Sequence, residues 1–85
     1  MNAAEKVKAT LQEHGWCQGK MQDYNGRVCL FFAMGKTPLS HAEWLSLYRK
    51  IHDTIGTVDI PRWNDQSKRT VEEVYALLDK VGAEL

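Results

Sequence analysis

The chain has 85 residues, 44% of them apolar, and its eleven Lys/Arg offset eleven Asp/Glu to give a formal net charge of zero. That length allows one domain, taken as residues 1–85, and the apolar share excludes an intrinsically disordered chain. The charge excludes the broad basic face expected of a nucleic-acid binder, and no apolar run approaches the length of a membrane span.

The first segment, residues 3–14, reads as a helix, with Ala4, Val7 and Leu11 on one face and lysines and glutamates elsewhere. This amphipathic start is unlike the apolar core of a signal peptide. With only Cys17 and Cys29 present, the expectation is a cytoplasmic protein with reduced thiols. Gly15 suits a left-handed helix end, and Trp16 follows where a Schellman motif places an apolar residue, folding back on Leu11.

Asn25-Gly26 is a strong hairpin signal, because both central positions of a type I′ turn need positive φ. A short β-hairpin is therefore expected from segments 19–24 and 27–32. The second segment is apolar on both faces, and "CLFFAMG" equally suits a short buried helix ended by Gly35. The reading adopted is a hairpin running into a short helix.

Ser40 and Glu43 form a Ser-x-x-Glu capping box, with Leu39 and Trp44 at the positions of a hydrophobic staple. A helix follows to Gly56, with Trp44, Tyr48, Ile51 and Ile55 in one stripe and Leu45 and Leu47 on its flanks. "TVDIPRWNDQSK" reads as a loop, with residues 58–60 held extended by Pro61. Thr70 and Glu73 make a second capping box, and Val71, Val74, Leu77, Leu78 and Val81 line a last helix ended by Gly82. The fold class is mainly α, a small α+β domain with three or more helices and a short hairpin.

Four groups of residues raise functional questions. Cys17, Cys29, His41 and His52 are metal-ligand types, but no two are spaced as the close pairs that structural zinc sites use, so neither metal nor cofactor is expected. Cys29 could be a nucleophile near a helix N-terminus, with His41 or His52 as base and Asn64 or Asp65 orienting it. A cysteine inside "VCLFF" equally serves as a small buried hydrophobe. Arg49, Lys50, Arg62, Lys68 and Arg69, with Trp63 to stack, would be a small nucleic-acid patch on a neutral protein.

The fourth group is "RWND", Arg62 to Asp65. Three tryptophans and three tyrosines exceed what a small core needs, and Trp and Arg are enriched in binding hot spots. Arg62-Trp63 could anchor a partner; Trp63 could instead fill the core. Since Thr70 and Glu73 already cap the last helix, Asn64 and Asp65 read as a clasp. Trp63 goes inward, Asn64-Asp65 fix the loop into that helix, and Asp65 reaches Arg69 if the turn is tight. Arg62, Lys68 and Arg69 would form the outer rim that a partner meets.

Taken in order, "GWCQG" (15–19), "NGRVCLFFAM" (25–34), "WND" (63–65) and "RTVEEVYALLDKV" (69–81) resemble a family of small bacterial and phage proteins of unknown function. Its members share these motifs in this order across nearly the whole chain. Two departures bear on any shared pocket: a small Gly-Ala pair after Cys-Leu is replaced here by Phe31-Phe32, and the middle region is shorter. The resemblance implies a bacterial or phage origin and a mainly helical domain; it implies no activity.

The functional expectation is a small cytoplasmic protein-interaction module, in one form phage-encoded and acting on a host protein. Its binding residues would be Arg62, Trp63, Asn64, Asp65 and Arg69, and a homodimer is a further option. The alternative is a Cys29-dependent enzyme of hydrolase or transferase type. A nucleic-acid-associated protein ranks third, and no membrane partner is expected.

Overall fold

Every helix among the described residues begins on a side chain that accepts a hydrogen bond from the first turn, so the fold can be followed cap by cap. The computed structural model describes residues 1–56 and 58–85. Helix α1 spans Ala3–His14, α2 Leu30–Lys36, α3 His41–Ile55, α4 Ile60–Asp65 and α5 Val71–Ala83. Their caps are Asn2, Cys29, Ser40, Asp59 and Thr70, and those of α1, α3 and α5 are full capping boxes closed by Glu5, Glu43 and Glu73.

Helix α1 lies at the centre, packing on α5, α2 and α3; α3 also meets α5 and α4, and α2 meets α4. The α1–α5 pair runs antiparallel. Asn2 donates through Nδ2 to Gly82 O at 3.0 Å, and Lys8 meets Asp79 at 3.0 Å six residues along. A side chain at position 82 would touch Ala4 and Asn2, so Gly82 is there for close helix approach. It lies inside α5 rather than ending it, and Glu84 is the C-cap.

The core is one cluster built around Val7, Leu11, Leu30, Met34, Leu47, Ile51, Ile60, Val74, Leu78 and Val81. Burying each of its larger side chains contributes about 1.5–3 kcal/mol. On α3 the fully buried residues are Leu47 and Ile51, while Trp44, Tyr48 and Ile55 pack half-buried at the core's edge. The expected stripe is thus rotated so that Leu47 points deepest. On α5, Val71 is likewise only half-buried.

Three local expectations are corrected. Among the described residues there is no strand and no hairpin; only two isolated bridges occur, Trp16 with Val28 (parallel) and Gln22 with Val28 (antiparallel). The turn is organised by Asp23, whose Oδ1 accepts from Asn25 N–H and Arg27 N–H, each at 2.9 Å. Only Gly26 takes positive φ there, whereas a type I′ turn needs it at Asn25 as well. With no second strand to join, Leu30–Lys36 goes helical from Cys29.

Second, Gly15 does have positive φ (88°), but its ψ of 163° sends the chain outward in an extended path rather than into a Schellman turn. Trp16 therefore crosses to Val28 and Asn64. Third, residues 60–65 are helix α4, not loop: Asp59 caps it, and Pro61 sits in the first turn, where its missing N–H costs nothing. The extended piece expected at 58–60 is displaced by this cap, and Thr57 lies outside the described residues.

Candidate functional site

Helical periodicity decides what "WND" does. Ile60 and Asn64 are one turn apart on α4, and both are buried; Trp63 is rotated to the side and half-buried. The residue inserted in the core is thus Asn64, with no exposed surface, rather than Trp63.

A fully buried amide must satisfy both its ends, and Asn64 does. Its Oδ1 accepts from the Trp16 indole Nε1 at 2.6 Å and from Leu30 N–H at 3.0 Å. Its Nδ2 donates to Cys17 O at 3.1 Å and to Asp65 Oδ1 at 2.9 Å. Two donors face one end and two acceptors the other, which fixes the orientation of the amide. Asp65 Oδ1 also accepts from Gly19 N–H at 3.0 Å. Gln18 Nε2 donates to the backbone oxygens of Asn64 and Gln66, both at 2.9 Å.

The clasp therefore joins α4 to the 15–30 segment, 34 to 48 residues away in sequence, not to the last helix. Arg69 performs the expected tie to α5 by another route. Its guanidinium lies over the Trp63 ring, 3.8 Å from the centroid. It donates through Nε to Trp63 O at 3.0 Å, and it bonds Glu73 and Gln66. Asp65 is turned toward Gly19 and Asn64 instead of toward Arg69.

The clasp forms one side of an open cleft of about 270 Å³, lined by Gly19, Lys20, Met21, Cys29, Phe31, Pro61 and Asp65. Its wall is apolar at Met21, Phe31 and Pro61, and its charges are Lys20 and Asp65. Phe31 leads out of it, meeting Trp44 edge-on at 6.2 Å; Trp44 stacks on Tyr48 at 5.2 Å, and Tyr48 on His52 at 6.1 Å. Cleft and half-exposed aromatic run are thus continuous.

The proposed nucleophile set is not assembled. Cys29 Sγ accepts from Phe32 N–H at 3.3 Å, as the N-cap of α2. Cys29 shares the cleft with Asp65, but His41 is exposed at the start of α3 and His52 lies against Tyr48, neither of them in the cleft lining. Among the described residues no three His, Cys, Asp or Glu side chains group as a metal site would require. Cys17 Sγ–H donates to Arg27 O at 3.2 Å and Lys20 O at 3.5 Å. Burial, with the Asp23 carboxylate and the Cys29 thiol nearby, pushes its thiol up from the ordinary value.

The candidate basic residues are dispersed. Lys50 pairs with Glu84 at 4.0 Å and Arg62 with Asp59 at 3.8 Å; Arg69 is engaged with Trp63 and Glu73; Arg49 and Lys68 are exposed. Sequence reasoning missed Asn2 as a cap, although Asn2-x-x-Glu5 is the same signal as Ser40-x-x-Glu43. It also missed Met21, Phe31 and Pro61, which nothing in their spacing links. Among the described residues no helix is long and apolar enough to cross a membrane. Neither a curated protein nor a solved structure is significantly similar to the chain. The sequence profile of a family of unknown function, DUF6197, matches residues 3–84, and the chain belongs to that family.

Proposed function

We infer that the chain is a small protein-interaction module, cytoplasmic and of bacterial or phage origin, that grips a partner at the cleft between the 19–21 loop, Phe31 and Pro61. The observation that carries this reading is the continuity of that cleft with the Phe31–Trp44–Tyr48–His52 aromatic run. An apolar recess beside partly exposed aromatics, held on a rigid hydrogen-bonded base, is the arrangement of a hot spot. Lys20, Asp65 and the exposed Arg62 would set the charge pattern of the rim. The origin rests on the motif resemblance, and the cytoplasmic setting on two free, unpaired cysteines.

The test uses exposed residues, of which Arg62 makes only a long, solvent-exposed ion pair with Asp59. Met21→Glu and Arg62→Glu alter exposed positions, where substitutions change stability by about 0.5 kcal/mol or less. Immobilised wild-type protein is expected to retain a defined partner from bacterial lysate, and both variants are expected to lose it at unchanged melting temperature. Equal retention by wild type and both variants would refute the cleft as the binding site.

A further inference from the structure

The parallel bridge has a second consequence, independent of partner binding. It sets Trp16 opposite Val28, through Val28 N–H to Gly15 O at 2.9 Å and Cys17 N–H to Val28 O at 3.0 Å. One residue further along both segments, the same register would set Cys17 beside Cys29, roughly 5 Å apart as in paired extended chains, just before the segments part around the Asn64 amide, which stands between Cys17 O and Leu30 N–H. Disulfide-bonded cysteines have Cα atoms about 4.4–6.8 Å apart. Cys29 retains extended backbone (φ −79°, ψ 168°), and its thiol is near enough to act on that of Cys17.

We propose that Cys17 and Cys29 form a reversible intramolecular disulfide, making this pair an oxidation site for a small hydroperoxide. The two cysteines have unequal parts. Cys29 is buried, but it lines the cleft, which is the route by which a small oxidant would reach it. Cys17, closed in by its bonds to Lys20 O and Arg27 O, is the resolving partner.

In the first step the Cys29 sulfur attacks hydrogen peroxide and gives up its proton. A sulfur–oxygen bond forms, the oxygen–oxygen bond breaks, and hydroxide leaves to be protonated to water. In the second step the Cys17 sulfur attacks the Cys29 sulfenic sulfur. The disulfide forms, the sulfur–oxygen bond breaks, and a second water leaves with the Cys17 proton. Two electrons pass from sulfur to peroxide in all.

Turning Cys29 Sγ toward Cys17 withdraws the acceptor from Phe32 N–H and uncaps α2 next to Phe31. Oxidation would therefore be felt at the cleft wall.

The test needs only the intact chain. After a few equivalents of hydrogen peroxide, thiols are blocked and the protein is digested with trypsin without reduction. The expected product is a cross-linked pair of peptides, residues 9–20 joined to residues 28–36, lighter by two hydrogens and separated by dithiothreitol. Cys17→Ser should leave Cys29 as a sulfenic acid that dimedone traps. Cys29→Ser should leave Cys17 unmodified at the same dose. Circular dichroism of both variants confirms that they are folded. Accumulation of sulfinic acid at Cys29, or cross-links only between chains, in the wild-type protein would overturn the proposal.

Discussion

Replacing Asn64 with alanine should remove a large part of the stability of this chain. The substitution deletes an acceptor shared by the Trp16 indole and Leu30 N–H, and a donor to Cys17 O and Asp65. Asp65 is exposed and can turn to water. Leu30 N–H is buried and Cys17 O lies in a buried setting, so each loses a partner that water does not readily replace. An orphaned buried donor or acceptor costs about 1–3 kcal/mol. With Leu30 and Cys17 taken at the middle of that range or below and half-buried Trp16 at its low end, the total is about 3–5 kcal/mol. A domain of this size has about 4–13 kcal/mol in all. In urea, with a slope near 1 kcal/mol/M, the midpoint should fall by about 3–5 M.

Asn64→Asp is the sharper comparison, because it keeps the shape. One carboxylate oxygen can still accept from Trp16 and Leu30, but the other faces Cys17 O and the Asp65 carboxylate with no proton between them. At neutral pH it should destabilise at least as much as alanine, and acid should narrow the difference. A loss below about 1 kcal/mol for Asn64→Ala, measured by urea unfolding followed by circular dichroism, would refute the clasp.

The other predictions concern the caps and the strained backbone. The carboxyls of Asp23, Glu43 and Glu73 are all held below their ordinary values of 3.8, 4.5 and 4.5. At Asp23 burial works upward but is outweighed by hydrogen bonds from Arg27 and Asn25; the backbone N–H of Ser40 acts on Glu43, aided by Lys6, and that of Thr70 on Glu73, aided by Arg69. Depressed carboxyls contribute fully above their unfolded values, so melting temperature should hold from pH 7 to about 5 and fall as the pH drops through about 4 and below. The double variant Glu43→Gln/Glu73→Gln should flatten that acid limb; an unchanged slope would contradict the assignment. Gly15→Ala places a methyl 2.8 Å from Arg27 Cγ at a φ of 88°, and should cost about 1–3 kcal/mol by denaturant unfolding. Lys68, the one non-glycine residue with positive φ (74°) among the described residues, should accept glycine with a gain of about 0.5–1 kcal/mol, and a loss would mean that its side chain has a role not visible in its contacts.

These predictions show which parts of the molecule local chemistry announces. The capping boxes at Ser40 and Thr70 begin α3 and α5 where their sequences place them, because a cap and its glutamate lie three residues apart. Helix α4 is not announced in this way, because Pro61 stops a helix when it lies inside one and starts one when it lies in the first turn; Asp59 decides between the two. The hairpin failed for a related reason. Asn25-Gly26 is a turn signal, but Asp23 captures the neighbouring N–H groups first and closes a different turn.

The candidate site was less legible. That Asn64-Asp65 form a clasp could be read from residue type; what they clasp could not, because Trp16, Cys17 and Leu30 are separated from Asn64 by 34 to 48 residues. Asn64 holds the clasp from the buried face, and Trp63 packs at the core's edge rather than inside it, because the segment is helical. A 100° step per residue puts the small polar side chain beside Ile60 on the inward face and leaves the tryptophan under Arg69.

The clasp can be observed without changing any residue, through hydrogen exchange of the three indole N–H groups by NMR. Trp16 Nε1–H is bonded to a buried oxygen, whereas the indoles of Trp44 and Trp63 have no hydrogen bond among the described residues. The account predicts that Trp16 exchanges only on global unfolding, as slowly as the core amides, with Trp44 and Trp63 orders of magnitude faster. Exchange of Trp16 as fast as the other two would contradict it.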